Sequence, residues 1–342
     1  MAWHSGKASA ALVALALAAP ALAQETTPAM VAAAEKEGKV VWYTAVDVKV
    51  AEAVAKAFKA AYPKIAVDVE RSGSERVFQR INQEYQSGIK AVDVVNSSDA
   101  SHFLLWKRQK WLASHTPPDA RRFDAKYRDP EGFYHTWRAS LSVAGYNTNL
   151  VPDKDAPQSY ADLLDPKWKG KIAKSHPGYS GTSLTGTYAI TKALGWDYLE
   201  RLSKQGVQQL QSTTATPKAI ASGERAVMVD GNEYNMFMEI DNKSPVKIIY
   251  PKEGTPFVSS PTAIFADAPH PNAARVFQNF IYTAPVQQLL VNEGGQRSMH
   301  PDVKEPAGRT PLKDIKLLPD DPQTMLPQIA EIKKKYATLF GN

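Results

Sequence analysis

Past its first two dozen residues the chain alternates short apolar runs with amphipathic stretches. After an amphipathic lead-in over 30–37, residues 39–44 (KVVWYT) are a short apolar run suited to a strand buried in a parallel sheet. Over 48–62, Val50, Val54, Ala57, Phe58 and Ala61 recur at helical spacing until Pro63 stops the pattern. Residues 65–70 alternate as a second strand. Val77, Phe78, Ile81 and Tyr85 mark a helix over 75–86. Residues 92–95 read as a third strand, followed by a helix through 102–107.

A second series opens near 142–147. A short helix at 160–164 leads to a strand at 171–174 and helices at 183–194 and 197–204. Strands at 226–229, 246–250 and 262–265 follow, with a helix through 234–239 between the first two. An amphipathic helix at 271–283 carries Pro271 in its first turn. A proline-punctuated tail, 312–327, precedes a last helix at 327–340. Repeated strand–helix units predict an α/β fold with mostly parallel sheets and right-handed crossovers. A length of 342 residues suits about two domains. The expected division is residues 24–142 plus about 256–300 in one lobe, and 143–255 plus about 301–342 in the other.

The first residues differ from the rest. Lys7 precedes an uncharged apolar run at 8–19, and Ala21-Leu22-Ala23 supplies a small-x-small cleavage pattern. Residues 1–23 therefore read as a secretory signal peptide, cleaved after Ala23, which predicts an exported, periplasmic protein. The run is too short for a membrane span of about 20 residues. With no cysteine, disulfides, thiolate metal sites, cysteine nucleophiles and a lipid-anchored lipoprotein are all excluded. The net charge of +6 arises from 41 basic and 35 acidic residues, and no basic run reaches five, so no nucleic-acid partner is expected.

Ligands of open parallel sheets bind beyond the carboxyl ends of the strands. Those junctions carry Thr44 and Asp47 after the first strand, Ser72, Gly73 and Ser74 after the second, and Asn96 and Ser98 after the third. In the second lobe, Ser180, Gly181, Thr182 and Ser183 lie between a strand and a helix, and Glu233 and Tyr234 follow the strand at 226–229. Helix capping alone would use the same residue types. Polar junctions on both lobes nevertheless predict a cleft between them. Enzyme motifs are missing. Gly178–Thr182 departs from the nucleophile elbow because position 182 is threonine. No Gly-rich phosphate-binding motif follows a strand, and no histidine pair has metal-ligand spacing. A binding receptor is thus favoured over a secreted α/β enzyme, and no catalytic residues are assigned.

The chain resembles type II periplasmic solute-binding proteins of ABC importers, in their iron(III)-type branch. The carrying segments are VVWYTAVD, AVDVVNSSD, DLLDPKWKGK at 162–171, GYSGTS, IASGERAVMVDGNEYN, and the long stretch from YPKEGTPFVSSPTAIF through APHPNAARVFQNFIYT. The resemblance implies two α/β lobes joined by crossover strands and closing on ligand by a hinge. It also implies a monomer that captures a small solute and delivers it to an inner-membrane ABC permease. It implies no cofactor, Fe(III) being the transported ligand. Ferric members use adjacent tyrosines; here the matching pair is Glu233-Tyr234, and the first loop has Ala45-Val46 with neither His nor Tyr. Two ligand classes follow from this departure. One is ferric iron on Tyr234, Glu233 and Asp47, phenolate and carboxylate oxygens being hard donors. The other is a small organic or phosphorylated anion held at the hydroxyl-rich helix starts.

Overall fold

The computed structural model describes residues 25–341; the expected signal peptide lies outside the described residues. Helix α1 (Pro28–Glu37) ends at Gly38, whose φ of 76° is left-handed, and the chain turns there into β1 (Lys39–Thr44). Asp47 caps α2 (Val48–Ala61), and Pro63 follows its end. The chain continues through β2 (Ala66–Arg71), α3 (Ser74–Gln86), β3 (Val94–Asn96), α4 (Ala100–Arg108) and β4 (Leu112–Ala113). β1 pairs in parallel with β2 on one side and β3 on the other, as the strand–helix repeat predicts.

The chain then crosses in β5 (His135–Asn147), a 13-residue strand buried along its whole length. The second lobe holds β6 (Ile172–Ser175), α5 (Gly181–Leu194), α6 (Trp196–Ser203), β7 (Gln208–Leu210), α7 (Ala215–Ala221), β8 (Val227–Asn232), α8 (Glu233–Asp241) and β9 (Val246–Ile249). β10 (Thr255–Phe265) returns, followed by α9 (Pro271–Ile281), α10 (Ala284–Gly294), β11 (Leu317–Leu318), α11 (Pro322–Met325) and α12 (Ile329–Phe340).

β5 and β10 join the lobes. They pair antiparallel with each other, β10 pairs antiparallel with β3 in the first lobe, and β5 pairs antiparallel with β8 in the second. Both begin well before the short segments read from sequence, 142–147 and 262–265. A strand covered on both faces has no polar alternation to betray its length. Pro261, which interrupts the apolar pattern of β10, sits at a register shift against β5, where a missing N–H costs no ladder bond. α7 and α10, absent from the sequence reading, are also present.

Each lobe has its own core. In the first, Trp42 meets Trp137 edge-on at 5.7 Å and Phe277 at 5.2 Å, so the returning helix α9 packs on β1. In the second, Tyr160, Trp168, Tyr198 and Leu199 pack with Tyr336 of α12, so the C-terminal helix belongs to this core. Among the described residues no helix is long and apolar enough to cross a membrane.

Candidate functional site

A pocket of about 250 Å³ lies between the lobes. The first lobe supplies Ala45, Gly73, Ser74 and Ser98 from the loops after β1, β2 and β3, with Arg71 and Arg76 flanking the start of α3. The floor is β5, through Arg138 and Ser140. The second lobe closes over it with Tyr179, Ser180 and Thr182 before and within α5, the segment Gln211–Thr214, and Asn232 and Tyr234 at the start of α8.

Arg138 dominates the electrostatics. Its side chain is essentially inaccessible, yet its hydrogen-bond partners are neutral: Nη1 donates to Ser140 Oγ at 3.0 Å and to Gln296 Oε1 at 2.9 Å. Its Nε has no hydrogen-bond partner among the described residues. Burial pushes the guanidinium below its ordinary range, Tyr234 and Asp47 oppose that, and Arg71 pushes it further down. Arg71 is oriented by its Nε, which donates to the Val46 carbonyl at 3.0 Å. The lining therefore has three cations and no carboxylate or histidine. An uncompensated buried charge is costly unless something pairs with it. The arrangement can accommodate an anion.

The hydroxyls and backbone suit the same partner. α3 starts with Gly73 as its N-cap and no side-chain cap, and α5 starts behind Ser180, so two helix starts border the pocket. Burial raises the Tyr234 phenol despite the opposing Arg138, so it remains a neutral hydroxyl; its oxygen accepts from Asn232 Nδ2 at 3.1 Å.

Of the residues singled out from sequence, Gly73, Ser74, Ser98, Ser180, Thr182 and Tyr234 line this pocket. Thr44 and Asn96 lie beneath it: Asn96 accepts from Thr44 Oγ1 at 3.3 Å and donates to the Pro261 carbonyl at 2.9 Å, tying β1 and β3 to β10. Asp47 is the α2 cap, accepting from the Lys49 N–H at 3.0 Å. Ser72 is half-buried and outside the lining. Ser183 donates to the Ser175 carbonyl at 2.8 Å, and the Gly181 N–H donates to Ser74 Oγ, so both serve the framework.

Glu233 is turned away from the pocket. Arg297 Nε and Nη2 donate to its two oxygens at 2.9 and 2.8 Å, and Tyr250 Oη donates at 2.5 Å. Its charge and lone pairs are consumed there, so the Glu233, Tyr234 and Asp47 oxygen set expected for a metal is not assembled. The sequence reading also missed Arg71, Arg76, Arg138, Tyr179 and Gln211–Thr214. For Arg138 a signal existed: a lone arginine inside the otherwise uncharged run 136–147.

Two α/β lobes, two joining strands and a polar pocket between them define a binding protein that grips a small solute. The chain belongs to the bacterial extracellular solute-binding protein family, whose model matches residues 90–315. Its fold is that of two-lobed periplasmic binding proteins. It is 25% identical to the probable ABC transporter periplasmic-binding protein y4fP of Sinorhizobium fredii, over 73% of this chain and 72% of that protein. Among solved structures it resembles AfuA of Actinobacillus pleuropneumoniae with fructose-6-phosphate bound (TM-score 0.80, 21% identity, 89% of this chain, 98% of that one). It also resembles iron-bound HitA of Pseudomonas aeruginosa (TM-score 0.76, 20% identity, 88% and 99%).

Proposed function

We propose that this chain is the exported, periplasmic substrate-binding component of an ABC importer, and that it captures a small phosphorylated or similarly charged organic anion for delivery to an inner-membrane permease. The observation that carries the ligand class is Arg138, buried at the pocket floor with neutral partners and orphaned at Nε. A phosphate offers a planar pair of oxygens to a guanidinium, and Arg71 and Arg76 add charge at the same end. The hydroxyls and amides around Thr213, Asn232 and Tyr234 suit the neutral part of such a solute. The likeness to AfuA, solved with a sugar phosphate, supports the same class.

Bare ferric iron fits less well. A trivalent cation would enter a lining with three cations, and the nearest sequence candidate for a carboxylate ligand, Glu233, is neutralised by Arg297. A receptor role is supported over an enzymatic one because the lining holds hydroxyls without a histidine or carboxylate to activate them.

The test is a thermal-shift and calorimetry screen of the mature protein against phosphate monoesters, their dephosphorylated parents, carboxylates and ferric citrate. A ligand at 100 times its Kd adds about 2.7 kcal/mol, so a shift of roughly 5 °C or more is expected for a phosphate ester and none for its parent. A visible charge-transfer band with ferric citrate, and no response to phosphate esters, would overturn the anion reading. Turnover of a phosphate ester would overturn the receptor role.

A further inference from the structure

Behind the pocket, in the first lobe, three side chains outside the solute site converge. Glu75 is on the first turn of α3, Asp99 caps α4, and His102 lies three residues further along α4, on the same face. All three are buried, and one ligand atom from each lies within 4.8 Å of the others. From this geometry we propose a binding site for a zinc-class divalent cation on Glu75 Oε1, Asp99 Oδ2 and His102 Nε2, separate from the transported solute.

Three observations carry it. First, the spacing: Nε2 lies 3.3 Å from Glu75 Oε1 and 3.4 Å from Asp99 Oδ2. Charge-assisted hydrogen bonds between such groups close to about 2.7–2.9 Å. Donors at zinc–ligand distances of 2.0–2.1 Å on a tetrahedron are instead about 3.3–3.4 Å apart. Second, the two carboxylate oxygens that face the imidazole have no hydrogen-bond partner among the described residues, although both side chains are more than nine-tenths buried. Third, every other polar atom of the trio is already held. Asp99 Oδ1 accepts from the Ser101 N–H at 2.8 Å and from its hydroxyl at 2.6 Å. Glu75 Oε2 accepts from Lys333 Nζ at 2.8 Å. His102 Nδ1 pairs with Ser97 Oγ at 3.0 Å, and Phe78 stacks on its ring at 4.1 Å.

Such outer contacts orient metal ligands and fix the tautomer that presents a lone pair. One nitrogen with two carboxylate oxygens suits zinc better than calcium or magnesium, which take oxygen alone. Two carboxylates with Lys333 nearby carry a net negative charge that a dication offsets. The ion would pin the start of α3 to the start of α4, the two turns that present Ser74 and Ser98 to the pocket.

The experiment uses untagged mature protein, stripped with chelator and titrated with ZnCl2. One zinc per chain should survive desalting, measured by elemental analysis, and Tm should rise until one equivalent is added. Cobalt(II) in its place should give the visible bands of tetrahedral coordination. His102→Gln should lose all three responses. Asp99→Asn, which can keep the Ser101 cap, serves as the second variant should the first fail to fold by circular dichroism. No zinc retained by the wild type would overturn the proposal and leave a protonated His102 holding the two carboxylates. The same zinc retained by both variants would overturn it too.

Discussion

The backbone N–H of Gly181 in the second lobe donates to Ser74 Oγ of the first at 2.8 Å, so the starts of α5 and α3 meet across the cleft. Lys333 of α12 crosses the same seam to Glu75 at 2.8 Å. The lobes are therefore in contact, in a closed arrangement. Ser74→Ala should weaken solute binding by about three- to ten-fold, the range of one neutral hydrogen bond. Calorimetry on the solute found by the screen reads this directly.

Gly181→Ala tests closure itself. A Cβ there would lie 2.8 Å from Asp99 Cβ and 2.9 Å from Ser74 Oγ, and both belong to the opposite lobe. The clash exists only when the lobes touch. Solute affinity should fall further than in Ser74→Ala, while the unliganded Tm changes little. Small-angle scattering should show a larger radius of gyration than the wild type in saturating solute.

Arg138 separates stability from function. Arg138→Met removes a buried charge with no acidic partner, so the unliganded protein should melt at the same temperature or higher. Charged hydrogen bonds contribute about 1.5–3 kcal/mol, so binding of an anion should weaken by about ten- to a hundred-fold. A variant with wild-type affinity would remove Arg138 from the site.

Lys174 and Asp230 show the opposite balance. Both are fully buried, 2.7 Å apart, and Asp230 also accepts from the N–H and hydroxyl of Ser175. Lys174→Met strands that carboxylate and should cost about 3–5 kcal/mol. The urea midpoint should drop, and Lys174→Met with Asp230→Asn should recover part of the loss.

Acid should destabilise the fold above the range in which ordinary carboxylates titrate. Burial pushes His115 and His135 down to about 4, so both stay neutral in the fold while the unfolded chain binds their protons below about 6.5. Stability therefore falls as pH drops from about 6.5 towards 4. Asp320, raised by burial to about 6, acts in the opposite sense over part of that range, while His176, also lowered by burial, acts with the two imidazoles. Tm measured between pH 7 and 4.5 should decline; a flat profile would show the imidazoles to be solvated.

The alternation of β1, α2, β2 and α3 was legible because each strand run is short and each helix has one apolar stripe ended by a breaker such as Pro63. The lobe-joining strands were half legible, since β5 is buried at all of its 13 positions and shows no period. In the site, the polar strand ends pointed to Ser74, Ser98, Ser180 and Thr182. Glu233 could not be judged from its neighbours: its partner Arg297 is 64 positions away and arrives only when the chain after α10 folds back to β5. Arg138 was not legible as a pocket residue because ligands of parallel sheets are expected at strand ends, and this arginine projects from the interior of a strand.

That location has a kinetic consequence. Arg138 lies in the first-lobe stretch of β5, beside Trp137 and opposite Ser260 of β10, on the same jaw as Arg71 and Arg76. An incoming anion can therefore meet all three cations on one jaw before the jaws close. Changes at Arg138 should therefore slow capture as well as hasten escape. Changes at the Ser74–Gly181 seam should leave the capture rate alone and show almost wholly in the lifetime of the complex.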